Sequence, residues 1–548
     1  MECSTRRVIP QEKSEAGRPP PYVALSYVWG QPLSDQQQHQ SIDESSGVFP
    51  AVVEDAIRVT MELGYEYLWV DRYCIIQTGS ETIKQEQLRH MHTVYANAEV
   101  TLVDAAGEGT STGLLGAPGR PRVQQPGALI KGHALVCIPP DPTYHIRSGT
   151  TWATRGWTYQ EGLVSRRRLF FSKYEMSYEC RDMLCREALR LPPAVEQRMS
   201  RQGRRFMDPH WMYTRRILPQ MSFSRDGAGL FALLEEYSAR QLSKPLDTLN
   251  AMLGILQLLA QHRHRPVYHV CGVPVLYTND KAFDINDDST VADPIPLDSD
   301  EDSIPVRLRF NDNGPAPIPL DGFVNGLCWH LQQPARRRPD FPSWSWTGWQ
   351  GRIRRVDSDM PYITQSFGFN IDVSIVPRCG DGRVGSAVPW NRYFDQLRTA
   401  DDSSKDLWSG QNHVLEITAS AATVRIRRAE AWRVGEWTGI VCVGNDVWQG
   451  QLSLTMNGED DSNVVGTESL MSRLVQRPWV GIVLGNARWV SYQTHDTHNT
   501  CVLVVQEEQN QKQLEAGGHV YWERVGLLKL DKCTLKDGML ERRTWRLK

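Results

Sequence analysis

In the first 107 residues of this 548-residue chain, β-favouring runs alternate with helix-periodic ones, and that alternation limits the fold more than any other feature. YVALSYVWG (Tyr22 to Gly30) is a β-favouring run stopped by a glycine. AVVEDAIRVTMELG then places Val53, Ala56, Ile57, Thr60 and Met61 at helical spacing before Gly64. YLWVDRYCII gives a second strand, a helix with Leu88, Met91, Tyr95 and Ala98 on one face follows, and VTLVDAAG (Val100 to Gly107) gives a third strand ending in Asp104. This β-α-β-α-β order predicts a parallel sheet wound by right-handed crossovers, with its ligand-binding edge at the carboxyl ends of the strands.

Beyond that unit the pattern changes three times. Glu108 to Thr150 is rich in Gly and Pro and reads as a long excursion, after which RRRLFFS and MSYEC return to strand-like composition. The segment from Arg186 to Arg216 is Arg-rich, and GLFALLEEYSARQL and DTLNAMLGILQLLA then carry apolar residues at helical intervals. Eight acidic residues with Pro and Ser fill 284–303, a composition that cannot bury enough surface to order itself. Short alternating strands such as HVLEITASAATVRIR, WVGIVLG and YWERVGLLKL dominate the remainder. The expected organisation is an α/β region over 1–185 (core 22–185), a helical middle region over 186–283, an acidic linker over 284–303 and a mainly β region over 304–548.

Strand ends concentrate the unusual polar residues: Ser26, Tyr27, Trp29 and Gly30 after the first strand, then Asp71, Arg72, Cys74 and Gln77 after the second. All fall on the edge where such sheets bind ligands, which marks Asp71 as a candidate functional carboxylate. The competing reading is that Asp71 caps a turn or pairs with Arg72 or Arg155.

YVALSYVWG, YLWVDRYCIIQ and RGWTYQEGLVSRRRLFF resemble, in order and spacing, the signature blocks of the fungal heterokaryon incompatibility (HET) domain, a family associated with non-self recognition and cell death. The segment from Trp157 to Glu161 is in turn similar to the Trp-to-Glu interval of Toll/interleukin-receptor (TIR) domains, although Thr158 and Gly162 stand where those domains have Cys and Leu. The resemblance implies a TIR-like sheet and, in its enzymatic form, cleavage of NAD, with Glu161 as the catalytic carboxylate facing the cationic ribose. Such a site needs no metal and no bound cofactor. A carboxylate about 4 Å from that charge, at an effective dielectric of about 20, is worth about 4 kcal/mol. Trp29 or Trp157 would stack on the nicotinamide, and Asp71, Arg72 and Arg155 would hold ribose or pyrophosphate.

The alternative implied by the same residues is a non-catalytic interaction module, acting through self-association or another signalling domain, in which Glu161 sits at a helix start and is tied to Arg155 or a backbone amide. A divergent, inactive relative is the third reading.

Other features point elsewhere. A net charge of −3 gives no global reason to expect nucleic acid. No run of eighteen apolar residues suggests a membrane span, and the N-terminus lacks an apolar export signal, so a cytoplasmic address is expected. Eleven cysteines read as reduced thiols, and Cys180-x4-Cys185 is too wide for a usual zinc pair. Arg336-Arg337-Arg338 reads as a solvated run, and PSWSWTGWQG (Pro342 to Gly351) as a hydrophobic seam between domains.

Overall fold

The computed structural model describes residues 1–9, 20–30, 49–77, 79–180, 183–188, 216–219, 222–223, 228–261, 266–276, 293–294, 319–355, 364–368, 371–378, 385–399, 413–428, 437–443, 446–455, 474–490, 496–508, 520–531, 535 and 540–548. Most of the Arg-rich segment and nearly all of the acidic stretch lie outside these residues.

The N-terminal region is built in the expected order: β1 (Tyr22–Ser26), α1 (Ala51–Glu62), β2 (Tyr67–Val70), the short α2 (Asp71–Cys74), α3 (Glu81–Asn97) and β3 (Val100–Asp104). The excursion then supplies a hairpin, β4 (Gly127–Ile130) and β5 (His133–Val136), and the helix α4 (Pro142–Gly149), after which come α5 (Thr151–Thr154) and α6 (Gly156–Val164). β6 (Arg167–Phe171), β7 (Met176–Cys180) and β8 (Leu184–Arg186) complete one sheet of order β2-β1-β3-β6-β7-β8.

The first four strands of that order are parallel, with Leu25 beside Val70 and Ser26 beside Val103. β7 and β8 are antiparallel, so the sheet is mixed rather than wholly parallel as the sequence predicts. The cause is local: Ser172 to Glu175 makes a tight turn, with Ser172 N and Oγ both bonded to Glu175 O, and a connection so short can join only antiparallel neighbours.

β1 shows how alternation positions the site. Val23, Leu25 and Tyr27 face α1 and pack with Val52, Val53, Ala56 and Ile57. Ala24 and Val28 belong to the opposite core, with Tyr95 of α3 and Tyr159 of α6, and Ser26 shares their parity. The strand is shorter than its composition suggests, ending at Ser26. Tyr27 to Gly30 form the loop, and Gly30 takes φ +85° where a Cβ would stand 3.3 Å from the Gly109 Cα.

A second helical layer, α7 (Ala228–Ser238) and α8 (Asp247–Ala260), lies over α3 and α6. Gln160 accepts the Gly254 amide at 2.9 Å, and every residue of α6 except Trp157 is buried. In the C-terminal region a long strand (Val414–Arg428) pairs with both Trp437–Val443 and Trp479–Val490, closing six antiparallel strands into a ring. Val424, Ile426, Leu452, Val502, Val504, Leu528 and Leu530 form a core of this ring. Closure removes the exposed edges that so many strands would otherwise leave.

Trp344, Trp346 and Trp349 are buried in the core that the helical layer shares with the β region. Their indole N–H groups donate to the carbonyls of His413, Gly272 and Ser343. The neighbouring arginines correct the sequence reading. Arg337 donates to Phe341 O at 2.7 Å and lies over Trp349, and Arg338 bonds the carbonyls of Thr347 and Trp349. Two of the three are therefore fasteners of the seam rather than a solvated run.

Candidate functional site

The carboxyl ends of β1 and β2 meet the second turn of α6. Strand order reverses around β1, which opens a crevice at this edge in sheets of this kind. Three side chains form a buried relay there: Trp152 Nε1 donates to Ser26 Oγ at 2.8 Å, and Ser26 Oγ donates to Glu161 Oε2 at 2.5 Å. Tyr95, whose hydroxyl donates to Leu25 O at 3.0 Å, lies against the same carboxyl. Glu161 is only 4% exposed. Its backbone is fixed as well, since Ser165 Oγ donates to Glu161 O at 2.7 Å and bonds Thr101 of β3.

Burial pushes the Glu161 carboxyl up to about 8, and the charge of Asp71 adds to the effect against the opposing hydrogen bond from Ser26. A carboxyl so placed is mostly protonated at neutral pH, where it acts as a hydrogen-bonding group rather than a charge. Asp71 opens the one-turn helix α2 directly after β2. Its Oδ2 accepts the Trp29 indole N–H at 3.0 Å, and its Oδ1 accepts the Arg72 amide at 2.7 Å. Burial pushes it up to about 6, opposed by these two donors and by the charges of Arg155 and Arg72. Arg72 lies 5.6 Å over the Trp29 ring.

The structure thus brings Glu161, Asp71, Trp29 and Arg72 to one edge, with Arg155 close enough to act on both carboxyls. Trp157 gives its N–H to Asp247 of α8 at 3.2 Å. Two expectations need correction. Glu161 lies within α6 rather than at its start, and its hydrogen-bond partner is the Ser26 hydroxyl, with Arg155 acting on it through charge alone. The Arg155 backbone instead joins the helical layer, bridging to Gln241 and accepting from Arg240 at 3.2 Å.

Sequence reasoning singled out Ser26 without assigning it a role and missed Trp152 and Tyr95 at this edge. A serine on the Ala24–Val28 face of an otherwise apolar strand was the available signal. Asp104, at the end of β3, is a second fully buried carboxyl besides Glu161, whereas Asp71 is half-buried. Asp104 is pushed up to about 7 by burial, with Oδ1 on the Gly107 amide at 2.9 Å. Cys74 donates nothing to this edge; its sulfur accepts the Val70 amide, and burial raises its thiol. Among the described residues no group of three or more His, Cys, Asp or Glu side chains could hold a metal, and no helix is long and apolar enough to cross a membrane.

Residues 22–161 match the family described as heterokaryon incompatibility protein (HET). No curated protein and no solved structure matches the chain. The matched span begins on the first residue of β1 and ends on Glu161, so the relay and the paired carboxyls all lie inside the part of the chain that is similar to the HET family.

Proposed function

We propose that this chain is a signalling protein of the heterokaryon incompatibility type, linked to cell death, in which Glu161 acts as a neutral, buried positioning group. The observation that carries this reading is the carboxyl itself: 4% exposed, bonded to Ser26 and raised to about 8. A hydrogen-bonded neutral acid of this kind locks α6 to the end of β1, and with α6 the helical layer resting on it. The signal would then pass to a partner domain or a second copy through the outer surface, within the cytoplasm and without metal or cofactor.

The test is a three-way comparison of wild type, Glu161→Gln and Glu161→Ala, by thermal unfolding of the purified chain and by death on expression in a fungal host. Gln reproduces a neutral hydrogen-bonding group, so it retains stability and signalling, while Ala loses both. Loss of signalling in a stably folded Glu161→Gln chain would defeat this reading.

A second reading is supported by the grouping of Asp71, Arg72 and Trp29 beside Glu161. Here Glu161 cleaves NAD in a TIR-like manner, with Trp29 and Trp157 against the nicotinamide and Asp71, Arg72 and Arg155 on ribose and phosphates. Cleavage requires an ionised and exposed carboxylate, so α6 must first lift from Ser26. Nicotinamide release by the wild-type chain that disappears in Glu161→Gln would favour this reading over the first.

A further inference from the structure

The excursion between β3 and α4 presents a feature the site does not use. β4 and β5 form a hairpin closed by Lys131 and Gly132, both at positive φ (49° and 82°), the geometry of a tight two-residue turn. Every residue of both strands is exposed, and no third strand bonds the hairpin among the described residues. Yet its side chains are those of a core: Leu129 (75% exposed), Ile130, Leu135, Val136 and Ile138 (79%), with Val123 beside them. Monomers seldom leave such a group uncovered.

We propose that β4 is a docking edge for a second copy of this chain, the two β4 strands pairing antiparallel across a two-fold axis centred on Leu129. This inference is independent of the role of Glu161. The hairpin register makes Ile130 and His133 the hydrogen-bonded pair beside the turn, so the Leu129 and Gly127 amides point outward from β4. The strand carries none of the charges or prolines that usually blunt a free edge, since GALI is wholly uncharged.

Self-pairing also suits the charge. An antiparallel pair centred on Leu129 sets Lys131 of each copy opposite Gly127 of the other, leaving the two lysines about 13 Å apart along the ladder, beyond the Debye length of about 8–10 Å. In that pairing the Leu129 side chains of the two copies stand directly opposite each other on one face of the joined sheet. A lipid surface fits less well. The open β4 edge would carry unbonded amides and carbonyls into hydrocarbon, whereas pairing with a second β4 satisfies those groups.

Sedimentation velocity of the full chain over a concentration series tests this, with Leu129→Lys and Leu129→Glu as variants. Leu129 is exposed, so both variants keep the wild-type circular dichroism. The expected result is a concentration-dependent dimer for wild type, monomers for each variant alone, and dimer recovered on mixing the two variants equally, because opposite charges then face each other across the axis. A wild-type chain monomeric at all concentrations, or association unaltered by both variants, would overturn the proposal. So would a monomer that co-sediments with phosphatidylcholine–phosphatidylserine vesicles only when Leu129 is intact, which would assign the hairpin to lipid.

Discussion

Tryptophan lines both the edge of the N-terminal sheet, where Trp152 is buried and Trp29 and Trp157 are half-buried, and the C-terminal seam, but its indole N–H is used differently. In the seam, Trp344, Trp346 and Trp349 donate to backbone carbonyls. At the N-terminal edge, Trp29 donates to Asp71, Trp152 to Ser26 and Trp157 to Asp247, all side chains. Charge follows the same division. Arg524 is fully buried against Trp329 and gives its guanidinium to the carbonyls of Leu327 and Trp329, with burial pushing it down to about 9. The edge instead holds carboxyls whose protonation their surroundings have moved. Backbone acceptors cannot titrate or rotate away, so the seam is a fastening; the side-chain acceptors of the edge can rotate, and Asp71 can also titrate.

The largest expected effect breaks the fastening. Arg524→Ala leaves two buried carbonyls without their donors and a cavity beside Trp329, which should cost on the order of 3–5 kcal/mol and is read as loss of cooperative unfolding or of soluble chain. At the edge, Glu161→Ala should cost about 2–3 kcal/mol in denaturant unfolding and Glu161→Gln less than about 1. Equal costs for Ala and Gln would mean that neutrality is not what the edge requires.

The comparison is sharpened by pH. Glu161 is protonated in the folded chain up to about 8, against an ordinary value of 4.5, so the folded state binds more protons between these values and stability falls as pH rises through that window. Asp71 (to about 6) and Asp104 (to about 7) act in the same sense. His269 and His413, lowered by burial to about 4, act oppositely below their ordinary 6.5. The decline should therefore show most cleanly between pH 6.5 and 8, and thermal melts of Glu161→Gln should be flatter there. The smallest effect is expected for Asp71→Asn, which keeps an acceptor for Trp29 and should change stability by less than about 1 kcal/mol while shifting the Trp29 fluorescence.

Legibility in the sequence followed the range of the interactions. Helix α3 was readable because Met91 and Tyr95 recur on one face, and β1 because its composition is local. The turn after β6 that makes the sheet mixed, and the pairing of Ala421 with Ile482 that closes the ring, depend on neighbours chosen by packing, which no local period encodes. Arg337 and Arg338 misled for the same reason: a basic triplet looks solvated until the carbonyls it bonds fold over it. At the edge, Asp71 and Glu161 were legible as candidates, but the relay was not, because Ser26 and Glu161 lie 135 residues apart and meet only once α6 crosses β1.

The most direct test of the central claim is a pH titration by infrared difference spectroscopy, following the protonated-carboxyl band of wild type against Glu161→Gln. The account predicts a band present in wild type at neutral pH, absent from Glu161→Gln, and lost on titration near pH 8. A Glu161 carboxyl already ionised at neutral pH, titrating in the ordinary range near 4.5, would contradict it and return Glu161 to the role of a charged catalytic group.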